Sequence, residues 1–383
     1  MTPAHVRPEV FARPSIGARK RIECGRRTVT APAPSPRSRR SRLWLWLASL
    51  VGAAVLLWIA SRRLELWPAT LHIPRPELLL AAAALHVPYS LARSLRLRYA
   101  LDPRVRAATG DPRARVPRDL LYGSGLVSFL VILLLPLRLG ELSRPLILAR
   151  AGVPGVGLPE AIAAVASERA VDGLLVVALL LLGISHAGHV LGSPAGVTHI
   201  GQGMGLVFLA LVLGLATLAL TPTLTLNRVA AALPGRLGSF LVHFAATLRD
   251  LAAPRRGLPL VGWSLVYWSL TVGQLWLVLH ACGLALGLAE AAAVVGVVGL
   301  SIQLPGGPAQ VGSYQVGSLT ALALLIAPDD LRGPGSSFVA ISYLLGLLGA
   351  LVLALPGALL LARAARSDPA DRGPDARRPR SEA

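Results

Sequence analysis

Apolar residues in this chain come in long runs rather than in alternation. Nine such stretches stand out: Leu43–Ala60, Leu78–Ala92, Leu120–Leu137, Val171–Ile184, Gly205–Leu220, Leu258–Cys282, Ala291–Leu304, Val311–Ala327 and Phe338–Ala362. Crossing ~30 Å of hydrocarbon takes roughly 20 helical residues, because each backbone amide must find its partner inside the segment. A membrane barrel would instead alternate apolar and polar residues over short strands. The pattern therefore predicts an all-α, polytopic membrane helix bundle. The first run carries Trp44, Trp46 and Trp58, with Trp67 beyond it, where interfacial aromatics belong.

The polar segments between the runs predict sidedness. Residues 1–42 hold eleven basic and two acidic side chains among Pro, Ser and Ala, so a disordered basic tail is expected there. Its length argues for a retained anchor rather than a cleaved signal peptide. Residues 93–119 carry eight Arg and three Asp, and 223–257 carry five Arg and one Asp. Both segments and the tail should be cytoplasmic by the positive-inside rule. The opposite side is sparse: 185–204 has no Lys, Arg, Asp or Glu, and 328–336 has Asp329, Asp330 and Arg332. Three apolar stretches lie between the two basic segments, and three full crossings would put those segments on opposite sides. One stretch should therefore enter and leave by the same face, and Leu120–Leu137, which runs into Pro136 and then into charge, fits best. About eight spans remain, with one or two re-entrant or broken helices and both termini cytoplasmic. The transmembrane domain is expected at 43–363 and a polar tail at 364–383. Within the domain, 237–251 reads as an amphipathic helix, with Leu237, Phe240, Leu241, Phe244, Leu248 and Leu251 on one face. It would lie on the membrane interface or cover the bundle.

Composition narrows the class. The 383 residues are 54% hydrophobic and only 15% charged, against roughly one quarter charged in soluble domains. Mean hydropathy is +0.61. The formal charge of +19 is gathered in blocks, which excludes a disordered polycation and argues against a nucleic-acid partner. Two cysteines far apart, Cys24 and Cys282, offer neither a disulfide framework nor a thiolate metal site.

Charge in the apolar regions is the strongest functional signal. In Leu134-Leu-Pro-Leu-Arg-Leu-Gly-Glu-Leu-Ser-Arg-Pro-Leu, Arg138, Glu141 and Arg144 recur every three residues along one side of a helix, with Pro136, Gly140 and Pro145 supplying the break. A second cluster, Glu168, Arg169 and Asp172, lies in Ser167-Glu-Arg-Ala-Val-Asp at the mouth of the next span. These six groups sum to zero. An ionised group at the bilayer centre costs about 2.5–3.5 kcal/mol on insertion scales, so pairing and inward orientation are expected. They would serve either as bolts between helices or as the wall of a polar cavity. In a cavity the arginines would meet a phosphate in bidentate fashion and the carboxylates would hold them or meet an ammonium. Neutrality with both signs suits an amphiphile. The second interrupted site is Gln303-Leu-Pro-Gly-Gly-Pro-Ala-Gln-Val-Gly-Ser-Tyr-Gln, which separates two short apolar stretches. Pro305, Gly312, Tyr314 and Gln315 are its candidate site residues. Segments broken by Gly and Pro in both halves of a transporter point to its substrate site, while the same chemistry also makes a plain turn.

Leu135-Pro-Leu-Arg-Leu-Gly-Glu-Leu-Ser-Arg, then Glu168-Arg-Ala-Val-Asp, then Pro305-Gly-Gly-Pro-Ala-Gln-Val-Gly-Ser-Tyr-Gln together resemble the flippase-like family. That family comprises the transmembrane domain of lysylphosphatidylglycerol synthases and its stand-alone relatives. The resemblance covers about residues 43–363. It implies a bundle of about eight helices with re-entrant segments that moves a phospholipid or other lipid-linked head group across the cytoplasmic membrane. Pro136, Arg138, Gly140, Glu141 and Arg144 match its first motif, and Glu168, Arg169 and Asp172 its second. This chain departs from it at Pro308-Ala309, where relatives often have Pro-Gly, and at Gln315, where many have Glu. No soluble aminoacyl-transferase domain follows residue 363, so lysyl-lipid synthesis by the chain alone is not expected.

Other chemistry is thin. His186, His189 and His199 sit in a segment without carboxylates, where histidines more often cap helices than bind metal. There is no P-loop and no nucleophile elbow. The expectation is a non-enzymatic lipid translocator without cofactor or metal. Its ligands would be membrane lipids with anionic or zwitterionic heads, and a homo-oligomer or envelope-complex partner is compatible with it. The alternatives are an intramembrane transferase using Glu141 or Glu168 as base, or a non-transporting subunit of an envelope complex. Short outer loops favour transport.

Overall fold

The computed structural model describes residues 36–62, 65, 68, 70–191, 206, 209–210, 212–303 and 307–366. The chain divides into Met1–Arg42 and Leu43–Ala383, and the bundle belongs to the second unit. The described elements of the chain are all helical. They are α1 (Pro36–Ser61), α2 (Glu77–Leu95), α3 (Arg98–Thr109), α4 (Arg118–Leu134), α5 (Ser143–Arg150) and α6 (Leu158–Leu191), then α7 (Val212–Leu220), α8 (Thr223–Ala231), α9 (Gly235–Ala252), α10 (Pro254–Ala281), α11 (Leu288–Ser301), α12 (Ser313–Ala323) and α13 (Pro334–Arg366). Short 3-10 segments occupy Pro136–Leu142, Pro308–Gln310 and Pro328–Leu331.

Each of the nine apolar stretches is mainly helical where it is described, with non-helical residues such as Leu135, Val311 and Ala327 at its ends. By length and composition two helical stretches are long and apolar enough to cross a membrane, Glu77–Thr109 and Pro328–Arg366. The pair α7 and α8, bent by 100°, would make a third. Several others are short because they are interrupted: α4 has 17 residues, α11 14 and α12 11.

Tight crossings hold the bundle together, and glycine makes them. A Cβ on Gly123 of α4 would lie 2.8 Å from the Gly357 carbonyl oxygen of α13, and one on Gly357 would lie 2.8 Å from Leu126 Cβ. Likewise a Cβ on Gly183 of α6 would lie 2.5 Å from the Ala293 backbone nitrogen of α11, and one on Gly296 of α11 would lie 2.6 Å from Leu180 Cα. Small residues let helix backbones approach, which compensates for the weak hydrophobic drive between helices in lipid. One core cluster joins α6, α10, α11, α12 and α13 around Val294, Val278 and Phe338, and another joins α3, α4, α5 and α6 around Leu101, Leu148 and Leu121. Outward leucines stay bare instead, Leu80 at 76% and Leu355 at 69% exposed. Apolar surface of this kind marks a face meant for a non-aqueous neighbour. On α1 the exposed Trp58 carries Arg62 over its ring at 4.4 Å, a pairing suited to the interfacial zone.

Two expectations are revised. The segment after Ala92 is not a loop: α2 continues almost without a break into α3, which buries Ala100, Leu101 and Val105. The amphipathic helix α9 also buries a different edge. Gly238, Ala245, Thr247, Leu248 and Leu251 face inward, while Leu237 is 51% exposed. The cause is close packing against small neighbours. Ala245 and Thr247 have no exposed surface, and a Cβ on Gly238 would meet the Ala230 carbonyl at 2.2 Å. Phe240 and Phe244 stack on its flank with centroids 5.7 Å apart.

Candidate functional site: a charged cavity between two helix breaks

The first break is local chemistry. Leu135 adopts an extended conformation after α4 and Pro136 opens a 3-10 turn, because proline cannot donate to the preceding helix. The turn then folds back on α4. A Cβ on Gly140 would lie 2.3 Å from the Val131 carbonyl oxygen and 2.5 Å from Ile132 Cα. The chain leaves as α5, which contacts both α4 and α6. Arg144 and Glu141 are delivered by this reversal to α6.

Around α6 the charges form a layered network. Glu168 has both carboxylate oxygens engaged, one by Arg96 at 2.5 Å and the other by Arg144 at 3.2 Å. Asp172 receives Arg96 as well, and the indole N–H of Trp268 donates to it at 3.0 Å. Arg96 has no exposed surface; its guanidinium also donates to Ser264 at 2.8 Å and stands 4.6 Å over the Tyr267 ring. Arg144 donates its remaining arm to the Ser94 carbonyl at 2.8 Å. Arg169 faces Glu141 at 3.6 Å, each partly open, whereas Glu168 and Arg144 are buried. Arg93 lies 4.4 Å over the Phe129 ring. Among the described side chains this makes four guanidiniums against three carboxylates, so the neutral sum expected from the sequence becomes one positive charge in excess.

Beside the network lies a cavity of about 310 Å³. Glu141, Arg169, Asp172 and Arg93 stand on its wall together with Gln303, Gln310 and Tyr314 from the second break. The two interrupted motifs, some 170 residues apart in sequence, thus line one space. Aromatic residues make up 5% of the chain, yet four of the six tyrosines, Tyr89, Tyr267, Tyr314 and Tyr343, line this cavity. Two of their hydroxyls have fixed partners: Tyr314 donates to Ser342 at 2.9 Å and Tyr343 to the Ala309 carbonyl at 3.0 Å.

The expected site residues divide by role. Glu141, Arg169, Asp172 and Tyr314 line the cavity; Arg144 and Glu168 sit behind it as bolts. Gln315 accepts the Gly312 N–H at 2.8 Å and so caps α12. Gly312, at φ 88°, lies against α1, where a Cβ would meet Leu56 Cβ at 2.7 Å. The side chain of Arg138 and the whole of Pro305 lie outside the described residues, as do the side chains of His186 and His189 and all of His199. No cluster of three or more His, Cys, Asp or Glu suited to a metal occurs among the described residues.

Reasoning on sequence alone missed Arg96, Arg93, His86, Tyr267 and Trp268. The first two were counted with a cytoplasmic segment. A signal was present: His86, Tyr89, Arg93 and Arg96 recur at helical spacing and continue the buried face of α2.

The Pro308–Gln310 turn shows what the alanine at position 309 costs. Ala309 and Gln310 adopt φ 57° and 60°, a region that costs an L residue roughly 1–2 kcal/mol and glycine almost nothing. Ala309→Gly is therefore expected to stabilise the protein by about 1 kcal/mol, visible as a higher thermal unfolding midpoint in detergent. An unchanged or lower midpoint would contradict the backbone assignment.

A helix bundle with lipid-suited outer faces, glycine crossings and a buried charge network around a central hollow is a membrane protein by construction. The lysylphosphatidylglycerol synthase TM region model matches residues 45–333, and the chain belongs to that family. No curated protein and no solved structure matches it.

Proposed function

We propose that this chain translocates a phospholipid or other lipid-linked polar head group between leaflets of the cytoplasmic membrane. In this reading the bundle makes about eight crossings, α4–α5 is a re-entrant hairpin, and both termini are cytoplasmic. The basic residues 1–42 fix orientation and meet anionic lipid. The head group enters between the Glu141 turn and the Pro308–Gln310 turn while its acyl chains stay in lipid. The observation that carries the reading is the convergence of both helix breaks on one cavity with charged, hydroxyl and aromatic walls. A volume near 310 Å³ sits at the low end of roughly 300–1,000 Å³ for ligand pockets, enough for a head group and not for a whole lipid.

Catalysis is not needed. Glu168, the more buried candidate base, has both oxygens held by arginines, which speaks against a transferase using it. The test is reconstitution in liposomes with fluorescent lipids and a membrane-impermeant quencher. Wild type should equilibrate the probe. Arg169→Ala and Glu141→Ala should slow it about tenfold or more, the equivalent of one charge-assisted hydrogen bond lost along the path. Rates equal to protein-free liposomes for wild type, or equal across all three proteins, would remove the reading.

A further inference from the structure

We infer that Arg93 is the anion-binding residue of the cavity and that the head group selected is net negative, a phosphate without a compensating ammonium. The inference rests on the transport reading only for the lipid origin of that anion.

Carboxylates that might receive an ammonium are already occupied. Both oxygens of Glu168 hold arginines, and Asp172 holds Arg96 with both of its own and Trp268 with one. Glu141 faces Arg169. Donors are in surplus instead. Arg93 is 9% exposed, stands on the cavity wall over Phe129, and has no carboxylate within salt-bridge distance among the described residues. The Arg169 Nε, 3.6 Å from Glu141, lacks a hydrogen-bond partner among the described residues. Two turns before Arg93 on the same helix, His86 is 5% exposed and its Nε2 has no partner among the described residues.

A buried guanidinium without a counter-charge is costly. A phosphate completes it through two parallel N–H···O bonds, which a planar fork suits better than an ammonium does. The aromatic ring beneath holds the cation in place without neutralising it. A cationic head would add a second positive charge beside Arg93, and a zwitterionic head would carry an ammonium whose carboxylate partners on the wall, Glu141 and Asp172, already face arginines.

The experiment uses the full chain purified with three diacyl probes: phosphatidylglycerol, phosphatidylcholine and a trimethylammonium-propane lipid. Retention is read by native mass spectrometry and movement by the liposome assay. Wild type should retain the anionic probe about tenfold more than the cationic one, the scale of one charge-assisted contact, with phosphatidylcholine between them. Arg93→Gln should abolish that order. Arg93→Lys, which keeps the charge but gives up the fork, should weaken it several-fold and carries the test if Arg93→Gln does not fold. Equal retention of anionic and cationic probes by wild type, or a preference untouched in both variants, would overturn the inference. Movement of all three probes at equal rates would overturn it while leaving transport standing. No movement of any probe, with anionic retention still following Arg93, would remove transport and leave the anion site. Displacement of phosphatidylglycerol by free glycerophosphate at equal concentration would assign the site to a soluble anion and overturn the lipid assignment.

Discussion

Arg96→Met is expected to destabilise the protein by about 3–5 kcal/mol, the usual penalty for removing one partner of a buried ion pair. Arg96 joins α2–α3 to α6 and α10: it holds Glu168 and Asp172, donates to Ser264 and covers Tyr267. Its loss leaves Asp172 with a single indole donor and Glu168 with Arg144 alone, although both carboxylates are buried. Thermal unfolding in detergent and gel-filtration profiles read the loss. The double change Arg96→Met and Asp172→Asn should recover part of it, because a neutral residue 172 no longer needs a cation while Glu168 keeps Arg144. Arg96→Met with wild-type stability would mean that the network is not the clamp described.

Gly140→Val is the second large effect. The 3-10 turn rests on the last turn of α4 with no room for a side chain, and the obstructing atoms are backbone atoms of Val131 and Ile132. Overpacking of this kind costs typically ~1–3 kcal/mol. The long contact of α4 with α13 should survive it. The turn, however, must lift, and Glu141 is carried away from Arg169. Lipid movement should therefore fall by more than the stability loss explains, about tenfold or beyond at a temperature where the variant is still folded. Gly140→Ala should be intermediate. Normal movement by Gly140→Val would show that the turn need not sit against α4.

Helix positions were legible because long apolar runs admit little else, and the breaks were legible because Pro136 and the Pro305–Gly312 region announce them. The convergence of the breaks was inferred from transporter logic and then found at Glu141 and Tyr314. What stayed hidden depended on burial that a charge count does not see. The positive-inside rule sorts arginines by number, so Arg93 and Arg96 were pooled with exposed neighbours although they extend the face of His86 and Tyr89. The buried edge of α9 was misplaced because hydrophobicity ranked Leu237 above Gly238 and Thr247, whereas close packing rewards the smaller residues. Gln315 read as a missing carboxylate. In the fold it caps Gly312, a task that its side-chain carbonyl oxygen performs without charge.

On the transport proposal a lipid head group occupies the hollow between the two breaks. Photo-crosslinking from a phospholipid with a reactive group on its head, followed by peptide mapping, tests it directly. Adducts are predicted on the segments carrying Arg93, Glu141, Gln310 and Tyr314, and free competitor lipid should suppress them. Adducts confined to outward residues such as Leu80, Leu351 and Leu355, with none on the cavity wall, would contradict it.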